Sequence, residues 1–95
     1  MITIFFYMTV KPDQIDAFRA IVTRAFTTTH AEDAGCITYV FHQQIDNPYE
    51  FVLYEQWQDR AALDAHLARL DQTIGWAAIL DTCEKTQAVT YDVVT

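Results

Sequence analysis

The first ten residues constrain this chain most. Ile2 to Val10 is β-branched and aromatic, and both of its alternating faces are apolar. Ile2, Ile4, Phe6 and Met8 fall on one face, Phe5 and Tyr7 on the other. That pattern predicts a strand buried on two sides. A second run, Glu50 to Gln58, repeats the problem. Phe51, Leu53, Glu55 and Trp57 share one face, and Val52, Tyr54 and Gln56 the other. A sheet built on these strands must be covered twice.

The rest of the chain offers helices for one cover only. Lys11-Pro12-Asp13 ends the first strand and opens a helix, with proline suited to its first turn and Asp13 and Asp16 to its positive end. Ile15, Phe18, Ile21, Val22, Ala25 and Phe26 recur at helical spacing. Three β-branched residues, Thr27 to Thr29, should make that helix fade. Gly35 introduces a strand from Cys36 to about Gln44, and Asp46-Asn47-Pro48 turns the chain into the Glu50 strand as a hairpin. Asp59 can cap a second helix with Leu63, His66, Leu67 and Leu70 on one face. A further helical piece from Thr73 to Thr82, interrupted at Gly75, precedes a last strand from Gln87 to Val94. The order β-α-β-β-α-β is the ferredoxin-like arrangement, an α+β fold with a four-stranded antiparallel sheet and helices on one face. Its uncovered apolar face exceeds what a soluble monomer tolerates. A second copy packed sheet to sheet is the economical cover, so an obligate homodimer is expected.

Composition excludes several functions. The chain has 95 residues, enough for one domain, expected to span 1–95. Its net charge of −7 opposes nucleic-acid and acidic-membrane surfaces. Two glycines, Gly35 and Gly75, cannot build a phosphate-cradling loop. The longest stretch free of charged residues, Ala34 to Ile45, has 12 residues, and a membrane span needs about 20. Met1 to Val10 lacks a basic start and a cleavage site. Cys36 and Cys83 lack metal-ligand spacing and read as reduced thiols of a cytoplasmic protein. There is no serine for a nucleophilic triad and no histidine pair at i, i+4, so no metal site is expected.

One constellation carries chemistry. Glu55 and Trp57 point to one sheet face, and His66 lies on the apolar stripe of the next helix. A carboxylate beside a half-buried imidazole can tune a general base, and the indole can wall an aromatic ligand. The two side chains can equally satisfy each other in the core. His42 fits an interface and His30 a solvated helix end. Tyr7, Tyr39, Tyr54 and Tyr91 suit strand packing.

The residues Gly35-Cys36-Ile37-x-Tyr39, followed by Asp46-Asn47-Pro48-x-x-Phe51-x-x-Tyr54-Glu55-x-Trp57-x-Asp59-x-x-Ala62-Leu63-x-x-His66, carry a family pattern. With them the chain resembles the antibiotic biosynthesis monooxygenase (ABM) domain family. The resemblance implies a ferredoxin-like dimeric α+β barrel. It also implies a cofactor-independent monooxygenase that oxidises a quinol-like or polycyclic phenolic molecule with dioxygen, the substrate being the reductant. On that reading His66 is the base, Glu55 its orienting partner and Trp57 the substrate wall. Tyr39, Phe51, Tyr54 and Tyr7 bind substrate, and no cofactor or metal is required. The chain departs from the pattern in two ways. Asp71 stands where many members carry a second histidine, and the one asparagine, Asn47, lies in a turn. The second departure speaks against haem degradation. Two other activities suit the same residues: isomerisation of a small hydroxy-ketone, and non-catalytic binding of an apolar metabolite by a dimer.

Overall fold

The structure is a computed structural model and describes residues 1–95, save the side chains of residues 73 and 74. Strand β1 (Ile2–Val10) leads through a short 3-10 turn at Pro12–Gln14 into helix α1 (Ile15–Glu32). Strands β2 (Cys36–Gln43) and β3 (Glu50–Trp57) form a hairpin, and α2 (Arg60–Leu67) follows. A wide helical turn, Leu70–Ile74, joins α2 to the short α3 (Trp76–Asp81), and β4 (Cys83–Asp92) closes the sheet. The sheet is antiparallel throughout, in the order β2-β3-β1-β4. This is the ferredoxin-like α+β arrangement expected from the element order.

The two most apolar strands, β1 and β3, occupy the centre of the sheet, where both edges are paired. Their register sets Ile4 opposite Glu55 and Phe6 opposite Leu53. Burial alternates along β3: Phe51, Leu53, Glu55 and Trp57 are buried, and Val52, Tyr54 and Gln56 are half-buried. Phe18, Val22 and Ala25 of α1 and Leu63 of α2 join the buried side chains of the sheet in one core. Each fully buried large side chain there contributes roughly 1.5–3 kcal/mol.

Several boundaries differ from the sequence expectation, with β4 ending at Asp92 and the piece expected over Thr73 to Thr82 found as Leu70–Ile74 and Trp76–Asp81, and two differ by more. Helix α1 does not fade at Thr27–Thr29 but runs to Glu32. Thr27 returns its hydroxyl to the carbonyl of Thr23 at 3.1 Å, and Thr29 is fully buried. Tertiary packing therefore outweighs the weak helix preference of threonine. Strand β4 starts at Cys83 rather than Gln87, because Val10, Thr9 and Met8 of β1 pair with Cys83, Lys85 and Thr86. That polar segment is held by a neighbour's backbone, which no side-chain pattern announces.

The caps follow the sequence. The Asp59 carboxylate accepts the Ala62 backbone N–H at 2.9 Å. In the hairpin turn the Asn47 side chain accepts the Tyr49 N–H at 3.2 Å. Gly35, between α1 and β2, has φ +126, and a Cβ there would collide with the Cβ of Ala62 on α2. Gly35→Ala therefore combines backbone strain with a clash between two elements. We expect it to destabilise the fold by roughly 3 kcal/mol in urea unfolding; a loss under about 0.5 kcal/mol would show that the close approach is not required.

The second sheet face is not covered. Phe5 lies flat on Tyr54, with ring centroids 5.1 Å apart, and meets Tyr91 edge-on. Tyr7, Val40 and Tyr91 are exposed. No described helix is long and apolar enough to cross a membrane.

Candidate active site

Glu55 sits on a central strand, facing the helices, flanked by Ile4 and Tyr39 across the ladder. It is buried, and one oxygen accepts the indole N–H of Trp57 at 3.0 Å. Burial pushes its carboxyl from the ordinary 4.5 up to about 7, with the Trp57 hydrogen bond pulling partly the other way. The alternation that puts residues 55 and 57 on one face makes this bond possible.

His66 is delivered by α2, one turn beyond Leu63, and is 2% exposed. Its ring lies against Trp57 at 4.5 Å between centroids and against Tyr39 at 5.4 Å. Burial lowers its pKa below the usual 6.5, opposed by Asp33. That direction favours the neutral imidazole at pH 7.

Its hydrogen-bonded carboxylate is Asp33, not Glu55. Nδ1 of His66 lies 2.8 Å from Oδ2 of Asp33. Arg69 binds the other Asp33 oxygen and also reaches Glu32 at 2.7 Å. The carboxylate beside the imidazole is thus Asp33 rather than the expected Glu55, and no motif or spacing points to it. Asp33 ends α1, 33 positions before His66, so no spacing rule connects them. An acidic residue at a helix C-terminus, where the dipole disfavours it, was the available hint.

Glu55 and His66 meet at a cavity of about 280 Å³ between the sheet and α2. Ile4, Phe6, Tyr39 and Leu63 form its inner walls; Leu67, Leu70 and Trp76 close it from the helical side; Arg60, Ala88 and Thr90 complete it. Phe6 and Trp76 meet edge to face at 4.9 Å. The lining is thus mostly apolar and aromatic, with two convergent titratable groups whose pKa values are both displaced. That combination makes this cavity the candidate binding or reaction site.

The other expected site residues distribute differently. Trp57 is fully buried beside Glu55 and does not line the cavity; Trp76 provides the indole wall instead. The Tyr39 ring lines the cavity, with its hydroxyl toward Thr29. Phe51 packs against Phe18 at 4.6 Å, beside a separate depression between α1 and β2. Tyr54 and Tyr7 lie on the opposite sheet face, because residues 54 and 7 have the other parity from residues 55 and 6. They do not reach the cavity. His30 is not simply solvated, since Nε2 lies 3.0 Å from the Tyr39 carbonyl. His42 is exposed on the open face. Burial and the charges of Asp33 and Glu55 push the Cys36 thiol up to about 11, which makes it a poor nucleophile. Among the described residues no group of three or more His, Cys, Asp or Glu side chains is placed to hold a metal ion.

Comparisons with known proteins agree with this fold. The protein Rv0793 of Mycobacterium tuberculosis, which carries a monooxygenase name, is 41% identical over 56 residues, covering 59% of this chain and 54% of that protein. Its solved structure superposes with a TM-score of 0.85 at 26% identity, over 99% of this chain and 95% of that one. A solved antibiotic biosynthesis monooxygenase matches the whole of both chains, with a TM-score of 0.89 and 27% identity. SnoaB of Streptomyces nogalater, described as a cofactor-independent oxygenase, shares the fold at a TM-score of 0.85 and 16% identity, over 99% and 93% of the two chains. The chain spans 38% and 54% of the lengths of the curated relatives it matches. The antibiotic biosynthesis monooxygenase family model matches residues 1–73, which include β1, the hairpin, Glu55, Trp57 and His66, and the chain belongs to that family.

Proposed function

We propose that the cavity between the sheet and α2 is the active site of a monooxygenase that oxidises a small phenol or quinol with dioxygen, using electrons from the substrate. The observation that carries this reading is the pairing of a neutral imidazole with a carboxyl near 7 in one apolar, aromatic-lined cavity. The family membership and the oxygenase description of SnoaB support the same reaction class.

The two groups suffice to move the protons of such a reaction. Nε2 of His66 takes the substrate hydroxyl proton, leaving an electron-rich phenolate. The phenolate passes one electron to dioxygen, and the resulting radicals join in a C–O bond. The protonated Glu55 gives its proton to the new peroxide. The Glu55 carboxylate then removes the ring C–H proton as the O–O bond breaks, and the His66 imidazolium protonates the departing hydroxide. One oxygen atom remains as a quinone carbonyl and the other leaves as water. Both side chains return to their starting states. The apolar walls limit contact with bulk water, which keeps the phenolate reactive and the peroxide protected. The cycle begins from neutral His66 and protonated Glu55, so kcat should fall as pH rises through about 7.

Oxygen consumption by chelator-treated protein with a panel of one-ring to four-ring phenols and quinols tests the proposal. Substrate-dependent uptake is expected. If nothing on the panel supports uptake and a hydroxy-ketone exchanges protons with solvent anaerobically, the isomerase reading replaces it.

The open sheet face is part of the proposal. Exposed Tyr7, Val40 and Tyr91 beside half-buried Phe5, Val52 and Tyr54 form an apolar surface suited to a second copy. Sedimentation velocity should show a homodimer at micromolar concentration; a monomer at that concentration would remove this element.

A further inference from the structure

Asp33 occupies an unfavourable place. It ends α1, where the helix presents its negative pole. It is nevertheless almost fully buried as a side chain, at 6% exposure. Its backbone is fixed on both sides: its N–H reaches the Thr29 carbonyl at 3.0 Å, and its carbonyl accepts the Cys36 N–H at 3.2 Å. Both carboxylate oxygens have partners. Oδ2 faces Nδ1 of His66 at 2.8 Å, and Oδ1 accepts from Arg69.

An ionised carboxylate has lone pairs and no proton to give. Nδ1 of His66 must therefore be the donor in this bond, which leaves the lone pair of the neutral ring on Nε2. We infer that Asp33 is a positioning residue for the reaction, fixing His66 in the Nδ1–H tautomer so that Nε2 accepts the substrate hydroxyl proton. This rests on the reading of His66 as the base. Asp33 touches no substrate and acts through the imidazole alone.

Arg69 makes the dependence sharp. A guanidinium has only donors, so it must face an oxygen. In Asp33→Asn the Arg69 contact claims the amide oxygen. The amide NH₂ then points at Nδ1 of His66, which must accept. The ring proton moves to Nε2, and the atom that faced substrate as an acceptor becomes a donor. A plain structural tether predicts no change in kcat, because the number of hydrogen bonds is conserved.

The test is the two-bond ¹H–¹⁵N correlation spectrum of His66 in uniformly labelled protein at pH 8, where the ring is neutral. The native protein is expected to show Nδ1–H and Asp33→Asn to show Nε2–H. With a substrate that supports uptake, kcat of the Asn variant should fall by on the order of 10²-fold, with KM changed by less than about threefold. Arg69→Lys, which keeps the positive charge and the Asp33 carboxylate, should retain Nδ1–H. Native Nε2–H overturns the inference by itself, even if the Asn variant fails to fold. So does a folded Asn variant that inverts the tautomer yet keeps native kcat. If the spectra behave as expected and no phenol or quinol is consumed, the tautomer assignment stands and the oxygenase reading fails.

Discussion

Replacing His66 is expected to lower oxygen uptake by about 10²- to 10⁴-fold, the range that a positioned general base supplies. The choice of replacement matters. His66→Ala removes the Nδ1–H donor from a buried carboxylate and leaves a void beside Trp57 and Tyr39. Losing a hydrogen bond to a buried charged group costs about 1.5–3 kcal/mol, moderated here by the Arg69 contact that Asp33 keeps. Loss of activity in the alanine variant alone would therefore be ambiguous. His66→Gln retains an amide N–H that can reach Asp33 and fills most of the ring volume. It should unfold within about 1 kcal/mol of the native protein and still lack uptake. Native uptake in a folded His66→Gln would remove His66 from the chemistry.

The second large effect is on stability. Glu55→Gln is expected to stabilise the protein above neutral pH by about 3 kcal/mol, and hardly at all near pH 4. The unfolded chain loses the Glu55 proton near 4.5, and the folded protein holds it up to about 7. Between those values the native state binds the extra proton, so stability falls as pH rises through this window. At about 1.4 kcal/mol per pH unit, the gap is worth about 3 kcal/mol. Glutamine does not titrate and keeps an oxygen for the Trp57 indole. His66 acts in the opposite direction, since its depressed native pKa removes stability as pH falls below 6.5; that contribution is common to both proteins. Urea midpoints at pH 4, 6 and 8 measure the difference. A glutamine variant less stable than the native protein at pH 8 would contradict the burial cost assigned to Glu55.

The two predictions pull in opposite directions, as a functional site requires. A buried carboxyl that weakens the fold at neutral pH has no structural justification of its own. Its retention in the most apolar strand pair is consistent with a proton-carrying role.

Much of this arrangement was legible in the residues. The two-faced apolar pattern of Ile2 to Val10 located β1 to the residue, because strand periodicity is a local property. The parity of Glu55 and Trp57, and the apolar stripe carrying His66, placed these side chains on the helix side of the sheet. What periodicity could not supply was longitudinal position. It gives the face of an element and not which neighbouring end it meets. The Asp33–His66 contact depends on where α1 stops, and the threonines at positions 27 to 29 suggested an earlier stop. The same limit exchanged Trp57 for Trp76 as the cavity's indole. Trp57 is on the correct face, but Tyr39 and His66 pack directly over it. The family resemblance gives Tyr7 and Tyr54 to the substrate, but strand parity sets them on the face opposite Glu55.

The most direct measurement of the central claim is the fate of labelled dioxygen. Chelator-treated protein would be supplied with ¹⁸O₂ and a phenol that supports uptake, and product and water analysed by mass spectrometry. One ¹⁸O in the product and one in water, without free hydrogen peroxide, is the predicted result. Unlabelled product, or peroxide released in proportion to substrate consumed, would contradict an oxygen-transferring site built on Glu55 and His66.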